Sequence, residues 1–138
     1  MNNHKRFKKS RLLRIKMMKL LYQYDFYSNN LKKISQEKLQ SDFEKIIMKL
    51  PFIDEIIINN LYNYKLNRLN KVDKAIIRLA TFELLENKTP YALIIDEAVE
   101  LTKQFCNLHN EKQHKFNNKL LDKIHKQLEI KETTKETF

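Results

Sequence analysis

Eight cationic side chains precede the first carboxylate of the chain, Asp25: Lys5, Arg6, Lys8, Lys9, Arg11, Arg14, Lys16 and Lys19. Such an uncompensated run suits a polyanion, and arginine suits phosphate because its planar fork donates two parallel hydrogen bonds. A second cationic element stands near the other end. Lys112, Lys115, Lys119, Lys123 and Lys126 follow helical steps and share one stripe. A helix N-terminus at that point adds partial positive charge and free N–H groups. For both elements the alternative is a solvated face. Asp73, Glu83, Asp96, Glu97 and Glu100 are the types that acid–base chemistry uses. Asp73, however, reads as a helix-start residue, and Glu97 and Glu100 stand one turn apart as on any solvent face. Cys106, His109, His114 and His125 are metal-ligand types, but the C-x2-H-x4-H spacing has no second cysteine pair behind it. A polar loop accounts for these residues, and no metal or other cofactor is expected.

Charge distribution separates a binding surface from mere lysine-rich coding. From Asp25 onward the chain has 19 basic and 17 acidic residues, so +8 of the net +10 lies in the first 24 residues. A general bias would spread lysine evenly and would not exclude acids from one end. The absence of glycine among the 138 residues excludes other chemistries. Phosphate-cradling loops, dinucleotide fingerprints and nucleophile elbows need backbone at positive φ or in close approach to a ligand. Asn63, Asn87 and Asn107 are candidates for the left-handed helix caps that glycine usually fills. The chain has no run of eighteen apolar residues and no signal-peptide pattern, and its single cysteine, Cys106, suits a reducing cytoplasm.

The elements that must position these residues all read as helices. Residues 1–7 read as a flexible basic arm. Ser10 is the expected N-cap of a helix to about Tyr27, with Leu13, Met17, Leu20, Leu21 and Tyr24 inward. A second helix is expected over Lys33–Lys49, carrying Ile34, Leu39, Phe43, Ile46 and Ile47. Pro51 separates it from a shorter one over Phe52–Tyr64. Asp73–Leu85 is apolar nearly all round, which marks a central helix. Thr89-Pro90 opens a helix to about Phe105. The last helix covers Lys112–Leu128, with Phe116, Leu120, Leu121, Ile124 and Leu128 inward, and Glu129–Phe138 reads as a frayed tail.

Four segments together resemble one known family. VDKAIIRLATFELL (Val72–Leu85) and IIDEAVELTKQF (Ile94–Phe105) resemble the paired helix motifs of the NusB family. KFNNKLLDK (Lys115–Lys123) is similar to its Lys-Phe-x-Asn-Gly-x-Leu-Asp segment, and SRLLRIKMMKLLYQ (Ser10–Gln23) to its basic first helix. Order and spacing agree over nearly the whole chain. Two positions depart: Asp96 stands where the family has Asn, and Lys119 where it has Gly. If that glycine admits RNA or a neighbouring helix, Lys119 either blocks the approach or adds a phosphate contact.

The resemblance implies an all-α, NusB-like fold of about six to seven helices in two packed subdomains, forming a single domain over residues 1–138. It implies a non-enzymatic antitermination factor that binds single-stranded boxA RNA of ribosomal RNA leader transcripts. Implied partners are the small-subunit ribosomal protein NusE and the RNA polymerase antitermination complex. The expected RNA contacts are Lys8, Lys9, Arg11 and Arg14, with His114, Lys115, Phe116 and Asn118 on the family's RNA-contacting segment. Phe116 is either a base-stacking platform or a core residue. Asp73 and Glu83 are candidates to meet the ribosomal protein. The alternative function is a helical interaction or homodimerisation module with only nonspecific RNA binding.

Overall fold

The computed structural model describes residues 3–26, 40–62, 65–106 and 111–136, with side chains described for 11–26, 42–62, 65–106 and 111–130. The expectations at Ile34, Leu39, Asn63, Asn107 and His109, and for the side chains of Lys8 and Lys9, lie outside the described residues. Among the described residues there are five α-helices, below the expected six to seven, and no strand: α1 (Asn3–Phe26), α2 (Gln40–Asn60), α3 (Lys71–Glu86), α4 (Tyr91–Phe105) and α5 (Lys112–Glu136). A 3-10 turn over Leu66–Arg68 leads into α3.

α3 is the centre. Every residue from Asp73 to Thr81 is buried, and the other four helices all pack on it. α4 and α5 form a close pair, and α2 reaches both α3 and α5. One hydrophobic core therefore draws on all five helices, from Met18 and Leu21 through Ile53 and Ile57 to Ile77, Leu101 and Ile124. The ends of α3 are set by asparagines. The Asn70 side chain accepts from the Val72 N–H at 2.9 Å, and Asn87 adopts φ 55° while its N–H donates to the Glu83 carbonyl. This is the left-handed cap expected at Asn87, supplied by the residue that tolerates that region best after glycine.

Three boundaries differ from the pattern-based expectation. α1 begins at Asn3, so Ser10 lies inside a helix instead of capping one. α5 continues to Glu136. Pro51 neither stops nor starts a helix, because α2 runs through it. An interior proline removes one hydrogen bond and clashes with the preceding turn, at about 3 kcal/mol. Here Phe43, Ile46, Leu50, Ile53 and Ile57 form one unbroken buried stripe across it, while Pro51 itself is exposed. At about 1.5–3 kcal/mol per buried side chain, that stripe outweighs the local penalty.

Candidate nucleic-acid interface

The buried stripe of α1 is Arg14, Met17, Met18 and Leu21, with Asp25 partly covered at its end. It is rotated from the expected one, and Leu13 is left 47% exposed. The rotation follows from ion pairs at two points that dock α1 on α3. Arg14 Nε and Nη2 donate to the Glu83 carboxylate at 2.9 and 2.7 Å. At the other end Asp25 accepts from Lys71 at 2.8 Å, Lys74 at 3.2 Å and Arg78 at 3.3 Å. Arg78 also forks onto Asp54 of α2 at 2.9 and 2.8 Å. Burial alone would push the Asp25 carboxyl up. The Lys71 and Lys74 hydrogen bonds and the charges of Lys74 and Arg78 overcome it and hold the group below the usual range.

Arg11 lies one turn earlier. Its Nε and Nη2 form a two-pronged contact with Glu97 of α4 at 2.9 and 3.0 Å. Glu97 is thus a buried ion-pair partner, not the solvent-facing residue its spacing suggested. Arg11 keeps 46% of its side chain exposed, against 8% for Arg14. Arg11, with exposed Lys16 and Lys19, can therefore meet an external phosphate, whereas Arg14 is enclosed and positions the helix. This corrects the expectation that placed Arg14 among the surface contacts. Glu83, the residue offered to a partner, is half-buried and paired with Arg14.

Asp73 is corrected as well, since it is 2% exposed. Asn117 of α5, completely buried, donates through Nδ2 to Asp73 Oδ1 at 2.9 Å and to Thr102 Oγ1 of α4 at 3.0 Å. Its Oδ1 accepts from Gln113 at 3.2 Å, and Thr102 in turn donates to the Ala98 carbonyl. Burial pushes the Asp73 carboxyl up, against hydrogen bonds from Asn117, Cys106 and Gln113. Burial and then the Asp73 charge push the Cys106 thiol up. This cluster locks α3, α4 and α5 together, with Asp73, Thr102 and Asn117 at its buried centre. Among the described residues, no group of three His, Cys, Asp or Glu could hold a metal ion. Nor, among the described residues, is any helix long and apolar enough to cross a membrane.

Asn117 also explains the register of α5. The inward stripe is Asn117, Leu120, Leu121 and Ile124, so Phe116 is turned out to 37% exposure instead of joining the core. It borders a cavity of about 400 Å³ with Leu69, Asn70, Lys112 and Gln113. Lys115 and Asn118 are exposed and His114 is half-buried. Lys115 meets Glu111 at 3.4 Å, but both side chains are more than 70% exposed. Such a pair is worth little, and it leaves the ammonium available. The α1 cations and the α5 group share one neighbour: Arg11 is fixed to Glu97 of α4, on which α5 packs.

The sequence profile of the NusB family matches residues 8–126. The chain belongs to the NusB family. A relative from Sulfurovum sp. (strain NBC37-1), named transcription antitermination protein NusB, is 38% identical over 120 residues, covering 78% of this chain and 90% of its own. The protein of the same name from Fervidobacterium nodosum is 32% identical over 137 residues, covering 90% and 95%. A solved structure of T. maritima NusB superposes with a TM-score of 0.69 at 35% identity, covering 84% of this chain and 89% of the other. Within this NusB fold, the segment Lys115–Lys123 divides its duties. Asn117, Leu120 and Leu121 hold the core, while Phe116, Asn118 and Lys119 face outward. The motif comparison pointed to Asn118 and missed Asn117. The available signal was its place three and four residues before Leu120 and Leu121, a core position filled by a polar side chain.

Proposed function

We propose that this chain is a non-catalytic antitermination factor that binds single-stranded boxA-type RNA of ribosomal RNA leader transcripts. It does so in the cytoplasm with the NusE-type small-subunit ribosomal protein, as part of a complex on RNA polymerase. Family membership across residues 8–126, among relatives named transcription antitermination proteins, carries this reading. Charge placement supports it, since eight cations precede the first acid and α5 adds a second exposed cationic end. The contact roles go to Lys8, Lys9 and Arg11 on α1 and to His114, Lys115, Phe116 and Asn118 on α5, while Arg14 holds α1 in place.

Fluorescence anisotropy with a boxA-type RNA and a scrambled control tests this, with and without the ribosomal protein, at two salt concentrations. Preferential binding that weakens steeply with salt and strengthens with the partner is expected, because each neutralised phosphate releases counterions. Equal weak binding to both RNAs refutes it. One observation favours a second reading, a docking or homodimerisation module: Leu12 and Leu13 stand 60% and 47% exposed beside Arg11. Light scattering after size exclusion separates the two, since a tight dimer indifferent to RNA fits only the second.

A further inference from the structure

We infer that α2 and α5 form a second nucleic-acid cleft, which takes single-stranded RNA flanking the boxA-type element. The inference rests on the RNA-binding role proposed above. A groove of about 180 Å³ runs between the end of α2 and one face of α5, bounded by Asn60, Tyr62, Phe116, Lys119, Leu120 and Lys123. Two aromatic rings border it: Tyr62 is 85% exposed and Phe116 37%. The Lys123 ammonium stands 5.8 Å from the Tyr62 ring centroid. One wall is fixed by Asn60, whose Nδ2 donates to the Ile56 carbonyl and to Gln127 of α5.

The lysines of the α5 stripe differ in place, since Lys119 and Lys123 border the groove and Lys115 and Lys126 do not. Lys115 and Lys126 pair with Glu111 and Asp122 one turn away. Lys119 and Lys123, which border the groove, have no carboxylate within ion-pair distance among the described residues. Cations one turn apart beside exposed aromatic rings match a strand that stacks bases inward and carries phosphates outside. An acidic peptide would use the ammonium groups and leave the rings idle. Lys119 is also where this chain departs from the family glycine. Its position on the groove edge makes it an added phosphate contact, not a block.

The test uses the full chain with the NusE-type ribosomal protein and three RNAs. These are a short boxA-type RNA, the same RNA extended with uridines at either end, and an extension whose added nucleotides are abasic. The uridine extension should tighten binding about tenfold, in line with base–aromatic stacking, and the abasic one by less. Tyr62→Ala and the double variant Lys119→Ala/Lys123→Ala should each abolish that gain while leaving affinity for the short RNA unchanged. All three side chains are exposed, so the variants should fold. The cleft is refuted if the extension adds nothing, if its gain survives both variants, or if the abasic extension does as well. A polyglutamate peptide that displaces the extension as readily as RNA does would also refute it, marking a general anion patch. Failure of the unaltered protein to bind even the short RNA would instead overturn the antitermination role, and the cleft with it.

Discussion

Replacing Arg14 separates positioning from contact. Its side chain is 8% exposed and its guanidinium grips Glu83, itself 20% exposed, at 2.7 Å. Arg14→Ala strands the Glu83 carboxylate at the α1–α3 junction. Breaking a buried pair costs about 3–5 kcal/mol, and the partial exposure of Glu83 places this case near the lower end. The double variant Arg14→Met/Glu83→Leu removes both charges and refills the space, so urea denaturation should return it to within about 1 kcal/mol of the parent. The parallel variant Arg11→Gln/Glu97→Gln also leaves net charge unchanged. Each single-strand phosphate contact contributes about 0.7 to the slope of log affinity against log salt. The Arg11 variant should therefore flatten that slope by about 0.7, and the Arg14 double variant should leave it unchanged. A stably folded Arg14→Met/Glu83→Leu protein that lost the same increment would show Arg14 on a phosphate and refute the division of labour. An Arg14→Ala cost below about 1 kcal/mol would refute the buried-pair argument itself.

Asn117→Leu keeps roughly the same bulk but withdraws the donor from Asp73 and Thr102; it should cost about 3 kcal/mol at pH 7 by urea denaturation. Because the Asp73 pKa is raised, its contribution to stability is full below the ordinary value of 3.8 and is lost as pH rises through the raised value. The Asn117→Leu deficit should therefore grow between pH 4 and pH 7, and a deficit independent of pH would contradict the assignment. Asp25 has the opposite sign. Its pKa is lowered, so its stabilisation is present above 3.8 and is lost as pH falls through the lower folded value. Asp25→Asn, which leaves Lys74 and Arg78 enclosed, should cost about 3 kcal/mol at pH 7, with the deficit narrowing in acid. Pro51→Ala restores an N–H toward the Ile47 carbonyl and should raise stability by about 1–2 kcal/mol, seen as a higher midpoint in thermal unfolding.

Hydrophobic spacing was enough to find the central helix, the helix after Pro90 and the start of α5 at Lys112, because each carries a long uninterrupted stripe. It failed at Pro51, where a local rule met a stripe that continues on both sides. Burial of Ile46, Leu50, Ile53 and Ile57 against α3 and α5 is a tertiary effect, invisible to a rule about one residue and its preceding turn. Phe116 and Asn117 failed together for a related reason. Periodicity assigns the inner position to the more apolar of two neighbours. The structure assigns it to the residue whose amide can satisfy Asp73 and Thr102 at once, and the phenyl ring moves outward by one position.

The charged ends of α1 show why composition alone could not apportion the basic cluster. Arg14 meets Glu83 near the end of α3, while Asp25, eleven residues later in α1, meets Lys74 and Arg78 nearer its start. The pairing works only with the two helices antiparallel and in this register. Reversing α1 would set Arg14 against Lys74 and Arg78, and Asp25 against Glu83. Like charges would then meet in a low-dielectric junction, where buried charge without a partner is expensive. The sequence shows an unbroken run of cations because their counter-charges, Glu83 and Glu97, lie about seventy and eighty-six residues away. Part of the N-terminal charge excess is thus consumed in orienting the helix. Arg11 serves on both sides of the boundary, tethered to Glu97 yet nearly half exposed, which makes it the side chain where fold and phosphate contact would be coupled.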